Sequence, residues 1–263
     1  MNCYNGTMDP DHFQASEWKR AVAKLVGTWD LAIANGGACS TWWGTLDDHH
    51  TPETILNKGP GYRRPRWWPG HIDRHIPWFT AWEYCYVLTR AHLMDSEPLT
   101  LLSLGGAASV LDLTLMRLGH HLTVLDARTY GVEQQQKNVE VLGIADRLDG
   151  RPGQRIETLG AIEKLFDGMI STNVLFLAGD PAQRACCEYL HRRLTPEGWA
   201  CFTFDVGNPN PKRLVSDPVE HFRWNGMDID GAWRDNGQRY HLYYPDPALG
   251  RYTAGGMLQR RRA

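Results

Sequence analysis

The sequence predicts an α/β fold with a mostly parallel sheet, preceded by a helical and irregular N-terminal segment. From Leu99 onward, short apolar runs typical of strands alternate with helical patterns, which is the order of elements in a parallel sheet. Two glycines, Gly105 and Gly106, end the first of these runs. Near the end of the chain, "RYHLYYP" and "RYTAGGMLQR" predict two antiparallel strands that form a closing hairpin.

The elements of the sheet region follow one another without a long interruption. "LTLLSL" and "HLTVLD" predict buried strands, and the stretch from Ser109 to Leu118 between them predicts a helix that ends before Gly119. "YGVEQQQKNVEVLG" predicts the next helix, and "FDGMISTNVL" a strand with its following loop. "PAQRACCEYLHRRL" then predicts a helix, "TPEG" a turn and "WACFTFDV" a strand. Helices of this length between strands imply right-handed crossovers in a parallel sheet.

The N-terminal part of the chain has a different character. A helical pattern runs from about Gln14 to Ala34, and a second one from about Trp78 to Met94. The intervening residues are rich in Gly, Pro, Trp and Arg and follow no single period, although their aromatic content is too high for a disordered linker. We therefore expect residues 1–98 to form an aromatic-rich cap and residues 99–263 to form the core domain.

Composition limits the classes of partner and compartment. The 263 residues are 42% hydrophobic, which suffices for one large domain or for a core with an extension. A net charge of −2 gives no electrostatic reason to expect nucleic acid. No apolar run has the length of a membrane span, and the first residues lack the pattern of a secretory signal. None of the six cysteines forms a CxxC pair, so we expect them to be free thiols. Together with the absence of a membrane-span or signal pattern, this predicts a cytoplasmic location without membrane contact.

The two glycines and Asp126 predict a crevice that binds a nucleoside. Ligands of open parallel sheets bind where the strands end, and a glycine there lets the backbone approach a ligand closely. Asp126 follows Gly106 by twenty residues, at the end of the next strand, where a carboxylate can accept hydrogen bonds from both ribose hydroxyls. The turn reads Gly-Gly-Ala-Ala-Ser-Val and lacks the spacing of a GxGxxG pyrophosphate motif. A tight bend without a ligand, with Asp126 as a surface cap, is the alternative.

Together these motifs resemble the class I S-adenosylmethionine-dependent methyltransferases, and within them a bacterial small-molecule branch with a "WEY" helix before the glycine turn. The matching segments lie within about residues 80–263 and read "AWEYCYVL", "LLSLGGAASVLDLTLMRLGHHLTVLDA", "FDGMISTNVL", "RRLTPEGWACFTFD" and "RYTAGGMLQRR". The resemblance implies a Rossmann-like class I methyltransferase fold with a seven-stranded sheet. It also implies S-adenosyl-L-methionine as the cofactor.

The resemblance assigns roles to individual residues. Gly105, Gly106 and Ala107 would lie along the methionine part of the cofactor, and Asp126 would hold the ribose. Ala127 and Arg128 would flank the adenosine, while Gln154 or Arg155 are weaker candidates for an adenine contact. Ser171 and Asn173 would end the fourth strand of the family's sheet and face the cofactor. Glu83 of the "WEY" helix would bind the cofactor's ammonium group or support helix packing.

The acceptor would be held by the aromatic segment and by the loop after the fifth strand. The candidate acceptor-binding residues are Tyr62, Trp67, Trp68, Trp78, Asp205 and Asn208. Relatives often have an acid–histidine pair after the fourth strand, but this chain has Phe176 and Leu177 there. His75 and His71 are the candidate general bases, because their ordinary pKa suits proton abstraction near neutral pH. Their spacing also permits a metal site, but we predict none.

The sequence therefore predicts a methyltransferase that modifies oxygen or nitrogen of a small-molecule acceptor. The missing acid–histidine pair leaves a second hypothesis, a protein that binds the cofactor without transferring its methyl group. A nucleotide-dependent oxidoreductase is a third hypothesis. The sequence does not fix the oligomeric state, and a homodimer is one of the options.

Overall fold

The computed structural model describes residues 5–39, 78–105, 108–175, 180–207, 227–239 and 253–261. Within these residues, nine strands form one sheet in the order β4-β3-β2-β5-β6-β9-β1-β8, and β7 pairs with β9. The strands are β1 (Asn5–Thr7), β2 (Thr100–Leu104), β3 (His121–Asp126), β4 (Leu148–Pro152), β5 (Phe166–Thr172), β6 (Leu194–Val206), β7 (Met227–Ile229), β8 (Trp233–Arg234) and β9 (Thr253–Arg261).

The pairing of the strands confirms the predicted class of sheet. Strands β2 to β6 are parallel to one another, and β9 is antiparallel to β6. The described residues contain nine strands instead of the seven that the resemblance implied. The second strand of the predicted hairpin is β9, while most of the predicted first strand, "RYHLYYP", lies outside the described residues. The antiparallel neighbours of β9 are β6, β7 and β1.

Within the described ranges, five α-helices pack on this sheet. They are α1 (Ser16–Ala34), α2 (Trp78–Arg90), α3 (Val110–Arg117), α4 (Thr129–Val141) and α5 (Asp180–Arg193). Helix α3 begins after Ser109, whose hydroxyl accepts the backbone N–H of Leu111 at 3.1 Å and so caps the helix. Helix α4 ends shortly before Gly143, which has the left-handed φ of +68° that favours glycine at this position. No helix among the described residues meets the length and apolarity that a membrane span needs.

The N-terminal region contributes a strand as well as helices. β1 pairs with β9, and the Asn5 side chain accepts hydrogen bonds from the Tyr86 hydroxyl and the Leu258 N–H, both at 2.8 Å. Tyr86 lies directly over Gly256, where a Cβ atom would come within 2.5 Å of its ring. Strand β1 was not predicted because the turn-like residues "NGT" carry no apolar alternation. The division of the chain at residue 98 stays a prediction.

The sequence "TPEG" lies inside β6 and does not form a separate turn before it. Phe166 pairs with Leu194, but the next pair is Gly168 with Trp199, so β6 has several extra residues between the two pairs. A Cβ atom on Gly198 would approach that of Leu194 to 2.7 Å, which indicates a sharp local bend. The turn-like composition therefore reflects a bulge within the strand.

The two faces of the sheet support two separate apolar clusters. Helices α1 to α4 cover one face, where Leu101, Val124 and Cys201 are buried. Helix α5 covers the other face, where the residues next to these in the strands, such as Leu102 and Phe202, are buried. This alternation is the expected consequence of a strand, in which successive side chains point to opposite faces.

Candidate functional site

One face of the sheet becomes polar toward the carboxyl ends of its parallel strands. On the face covered by α2 and α3, apolar side chains near the strand centres give way to buried polar ones. These polar residues are Ser103 on β2, Asp126 on β3, and Thr203 and Asp205 on β6. The face covered by α5 remains apolar as far as Leu104, Leu125 and Phe204. Because buried polar groups carry a desolvation cost, their concentration at one edge marks a candidate site.

The glycine turn closes tightly at the end of β2. Gly105 has φ +75°, and its N–H donates to the Leu125 carbonyl of β3 at 2.7 Å. A Cβ atom at Gly105 would come within 2.4 Å of the Val174 side chain, so a larger residue would collide with the segment after β5. Ala108 also has a left-handed φ, of +52°. Gly106 and Ala107, predicted to contact the cofactor, lie outside the described residues.

Asp126 lies at the end of β3 with only 5% of its surface exposed. Its Oδ1 atom accepts the backbone N–H of Arg128 at 2.7 Å, and the Arg128 guanidinium contacts the two carboxylate oxygens at 3.2 and 3.3 Å. These contacts hold the carboxylate in a fixed orientation beside the glycine turn. Ala127 is exposed. The structure thus brings together Gly105, Asp126 and Arg128, which were predicted to surround one ligand.

A second carboxylate, Asp112, lies close to Asp126. Asp112 is in the first turn of α3, is 1% exposed, and accepts the Ser103 hydroxyl at 2.9 and 3.0 Å to its two oxygens. Burial, together with the charge of Asp126, raises the pKa of Asp112 to about 7, although the Ser103 hydrogen bond acts in the opposite direction. The sequence analysis missed Asp112. Its signal was a lone acid in the otherwise apolar helix "SVLDLTLM".

Glu83 and Asp205 form a further polar group where α2 crosses the end of β6. Thr203 donates its hydroxyl to Glu83 at 3.0 Å, and Glu83 is 3% exposed. Burial, followed by the charge of Asp205, raises the pKa of Glu83 to about 8. The Asn173 amide donates to Asp205 at 3.2 Å from a backbone with φ +57°. Glu83, Asn173 and Asp205 were predicted for separate parts of the site, and the structure places them side by side.

Tyr84 connects α2 to the glycine turn. Its hydroxyl lies close enough to the side chain of Ser109 to influence the pKa of Tyr84, although burial is the main reason that this pKa lies above its ordinary value. Ser109 is also the cap of α3, so the helix that follows the turn and the "WEY" helix meet at this residue. The sequence analysis missed this contact, because the two residues belong to different elements.

The arrangement of these elements agrees with known structures. The chain superimposes on TehB from Haemophilus influenzae with a TM-score of 0.52 and 15% identity, over 68% of this chain and 67% of that one. It matches a Burkholderia thailandensis 1,6-didemethyltoxoflavin-N1-methyltransferase, solved with its named substrate and S-adenosylhomocysteine, with a TM-score of 0.52 and 16% identity over 69% and 77%. The glycopeptide N-methyltransferase MtfA gives 0.51 and 12% over 68% and 90%. No family model and no curated protein sequence matches the chain.

The chain has the class I methyltransferase fold. At this low sequence identity the similarity establishes the fold, while the reaction and the acceptor have to be argued from the site itself. In this fold the site lies at the carboxyl ends of the parallel strands, which is where the buried acids of this chain are found.

Ser171 and Gln154, at the same edge of the sheet, differ in whether their side-chain oxygens have hydrogen-bond partners among the described residues. Ser171, at the end of β5, is 1% exposed, and its hydroxyl accepts the Leu175 N–H at 3.0 Å. Gln154 follows β4, and its Oε1 atom is buried without a hydrogen-bond partner among the described residues. Ser171 therefore caps the local turn, whereas Gln154 has an acceptor atom that a ligand could use. Cofactor contacts by either residue stay predictions.

For the remaining predicted residues, either the whole residue or its side chain lies outside the described part of the chain. Those outside the described residues are Tyr62, Trp67, Trp68, His71, His75 and Asn208. Trp78 begins α2, but its side chain is outside the described part. Within the described ranges, no group of three or more His, Cys, Asp and Glu side chains could hold a metal ion.

Proposed function

We propose that the protein is an S-adenosyl-L-methionine-dependent methyltransferase that acts on oxygen or nitrogen of a small-molecule acceptor. The observation that carries the proposal is the buried Asp126 carboxylate at the end of β3, beside the Gly105 turn at the end of β2, within a class I methyltransferase fold. The turn lacks the glycine spacing that a pyrophosphate requires, which favours a cofactor without phosphate groups.

The residues at the strand ends fit an adenosyl group. Asp126 has two oxygens that can accept both ribose hydroxyls, provided that the Arg128 side chain moves aside. That side chain is 36% exposed, and its contacts with Asp126 are long, so its displacement costs little. The buried Oε1 atom of Gln154 can accept a hydrogen bond from the adenine amino group. These features support the cofactor assignment on this chain's own residues.

When bound, S-adenosylmethionine supplies a methyl group on a cationic sulfonium, and methyl transfer is an in-line displacement. The chain's residues have to orient the two reactants, exclude water and take up a proton if the acceptor carries one. Asp205 and Glu83 lie on the α2 side of the strand ends. Glu83 holds its proton at higher pH than usual, and a nearby sulfonium or ammonium group would favour its ionised form. Asn173 orients Asp205 through its amide.

A small-molecule acceptor is supported by the fold neighbours, because one of them was solved with 1,6-didemethyltoxoflavin. The aromatic residues Tyr62, Trp67, Trp68 and Trp78, together with Asn208, are proposed to bind the acceptor. His75 and His71 are proposed as general bases. Mutation of either histidine tests this role, because loss of a general base should lower the rate of methyl transfer while leaving cofactor affinity unchanged.

Titration calorimetry with S-adenosylhomocysteine and with NAD tests the proposal. We expect S-adenosylhomocysteine to bind and NAD to give no heat. Binding of NAD alone would contradict the proposal and favour the oxidoreductase. Incubation with methyl-labelled S-adenosylmethionine and a small-molecule extract then tests transfer, and label should enter a small product.

Cofactor binding without transfer to any extract component would favour the second candidate function, a protein that uses the cofactor as a ligand. The observation that favours this candidate is the absence of an acid–histidine pair after β5, where the chain has Phe176 and Leu177.

A further inference from the structure

Asn138 makes a pair of hydrogen bonds to the peptide of Ala38, a hundred residues earlier in the chain. Its Oδ1 atom accepts the Ala38 N–H at 2.9 Å, and its Nδ2 group donates to the Ala38 carbonyl at 2.8 Å. Asn138 lies on α4, the helix that follows Asp126, and is 0% exposed. This two-bond contact, here called the Asn138–Ala38 contact, joins the segment after α1 to the helix after β3.

The side-chain amide of Asn138 is fully used. Besides the two bonds to Ala38, its Oδ1 atom accepts from Gln134 at 3.1 Å, and Nδ2 donates to Gln135 at a longer 3.4 Å. Gly37 is required beside it, because a Cβ atom there would lie 2.8 Å from Asn138 Oδ1. An apolar residue would serve simple helix packing at lower desolvation cost. The choice of asparagine therefore points to a specific contact.

The polar contacts continue from Asn138 to the glycine turn. Gln135, also 0% exposed, donates to the Ser109 carbonyl at 3.4 Å. Ser109 caps α3 at the end of the turn, and its side chain lies beside the Tyr84 hydroxyl of α2. A path of hydrogen bonds therefore runs from the part-buried Ala38 peptide through the buried amides of α4 to Ser109, the residue that ends the glycine turn.

We propose that Asn138 is a positioning residue that links the segment at residues 36–39 to the glycine turn, so that anchoring of this segment and cofactor binding strengthen each other. The inference rests on the proposed function, since it takes the glycine turn to be the cofactor contact. Asn138 acts through Gln135 and Ser109 and does not itself touch the cofactor. Coupling of this kind is reciprocal by thermodynamic linkage.

Asn138→Ala is the direct test, with Val139→Ala as the matched control. Val139 is the next residue on α4, is equally buried, and belongs to the apolar cluster instead of the polar path. Both variants should lower the melting temperature, because each loses buried contacts. At a temperature where both are folded, Asn138→Ala should weaken S-adenosylhomocysteine binding at least about threefold, within the range of coupling carried by indirect contacts. Val139→Ala should leave that affinity unchanged.

Amide hydrogen exchange supplies a readout that does not depend on cofactor binding. In Asn138→Ala without ligand, exchange should accelerate at residues 36–39 and also at residues 108–113, while Val139→Ala should not accelerate residues 36–39 selectively. In the wild type, S-adenosylhomocysteine should slow exchange of the Ala38 amide. Equal affinity loss in both variants, or faster exchange confined to residues 36–39, would overturn the inference.

The two proposals fail in different ways. A wild-type protein that does not bind S-adenosylhomocysteine contradicts the proposed function. The exchange experiment on the unliganded variants would still decide whether Asn138 is coupled to the turn. Binding by the wild type with unchanged affinity in Asn138→Ala would instead contradict only the positioning role.

Discussion

The two faces of the sheet use the same strands for different purposes. On the α5 face, the side chains of β2, β3 and β6 stay apolar toward the carboxyl ends, with Leu104, Leu125 and Phe204 all buried. On the face of α2 and α3, the last inward-pointing positions are polar, as at Ser103, Asp126 and Asp205. Because side chains alternate along each strand, one edge of the sheet carries a continuous core on one face and a candidate site on the other.

This difference teaches how stability and function are divided in the fold. Burial of apolar side chains stabilises the protein, whereas each buried carboxylate costs free energy unless it is paired or protonated. Asp126 is paired with Arg128, while the raised pKa values of Asp112 and Glu83 indicate that these groups hold protons at higher pH than usual. Substitutions on the two faces should therefore change different properties.

The largest effect is expected from Phe202→Ala on the apolar face. Phe202 is 1% exposed, and its removal should lower the free energy of unfolding by about 3–5 kcal/mol through lost burial and a cavity. Denaturant unfolding measures this loss. The fraction that remains folded should bind S-adenosylhomocysteine as tightly as the wild type, and a lower intrinsic affinity would mean that the faces do not act separately.

Asp126→Ala on the polar face should show the opposite pattern. Loss of hydrogen bonds to a charged group should weaken S-adenosylhomocysteine binding by about 1.5–3 kcal/mol, whereas stability should change less than in Phe202→Ala. Calorimetry measures the affinity. Asp149→Ala is the matched control, because this carboxylate lies on the neighbouring strand β4 and pairs with Arg151. A similar loss in both variants would argue against ribose binding by Asp126.

Glu83→Gln should reveal the cost of a buried acid through its pH dependence. The pKa of Glu83 is about 8 in the folded state, above its ordinary value of 4.5. The folded state thus holds this proton more tightly, so the stability it contributes is complete below pH 4.5 and is lost as the pH rises through 8. Glutamine cannot ionise. As the pH rises from 6 to 7, the free energy of unfolding of Glu83→Gln should therefore increase by about 1 kcal/mol relative to that of the wild type.

Thermal or denaturant unfolding across this pH range measures the difference between Glu83→Gln and the wild type. Glu140→Gln is the control, because Glu140 is exposed on α4. A wild type and a Glu83→Gln variant with parallel pH profiles would contradict the raised pKa of Glu83.

The part of the candidate site that contains Gly105 and Asp126 could be predicted from the sequence. Gly105 and Asp126 are each close to the end of their own strand, so local pattern and spacing suffice to bring them to one edge of a parallel sheet. Asp112 could have been noticed as an acid within an apolar helix. Strand β1 and the bulge at "TPEG" were not predicted, because both depend on pairing with distant strands.

The amino-acid sequence by itself determined the alternation of β2, β3, β5 and β6 with helices, the parallel core of the sheet, and the glycine turn with its acid, since these follow from periodicity and short-range spacing. Only the tertiary structure decided that Glu83 meets Thr203 and Asp205, and that Asn138 binds the peptide of Ala38. These contacts join residues about a hundred positions apart, and they form only when helices and strands pack on a common face. The pKa values of the buried acids follow from the same packing, because burial and neighbouring charge are properties of the folded protein.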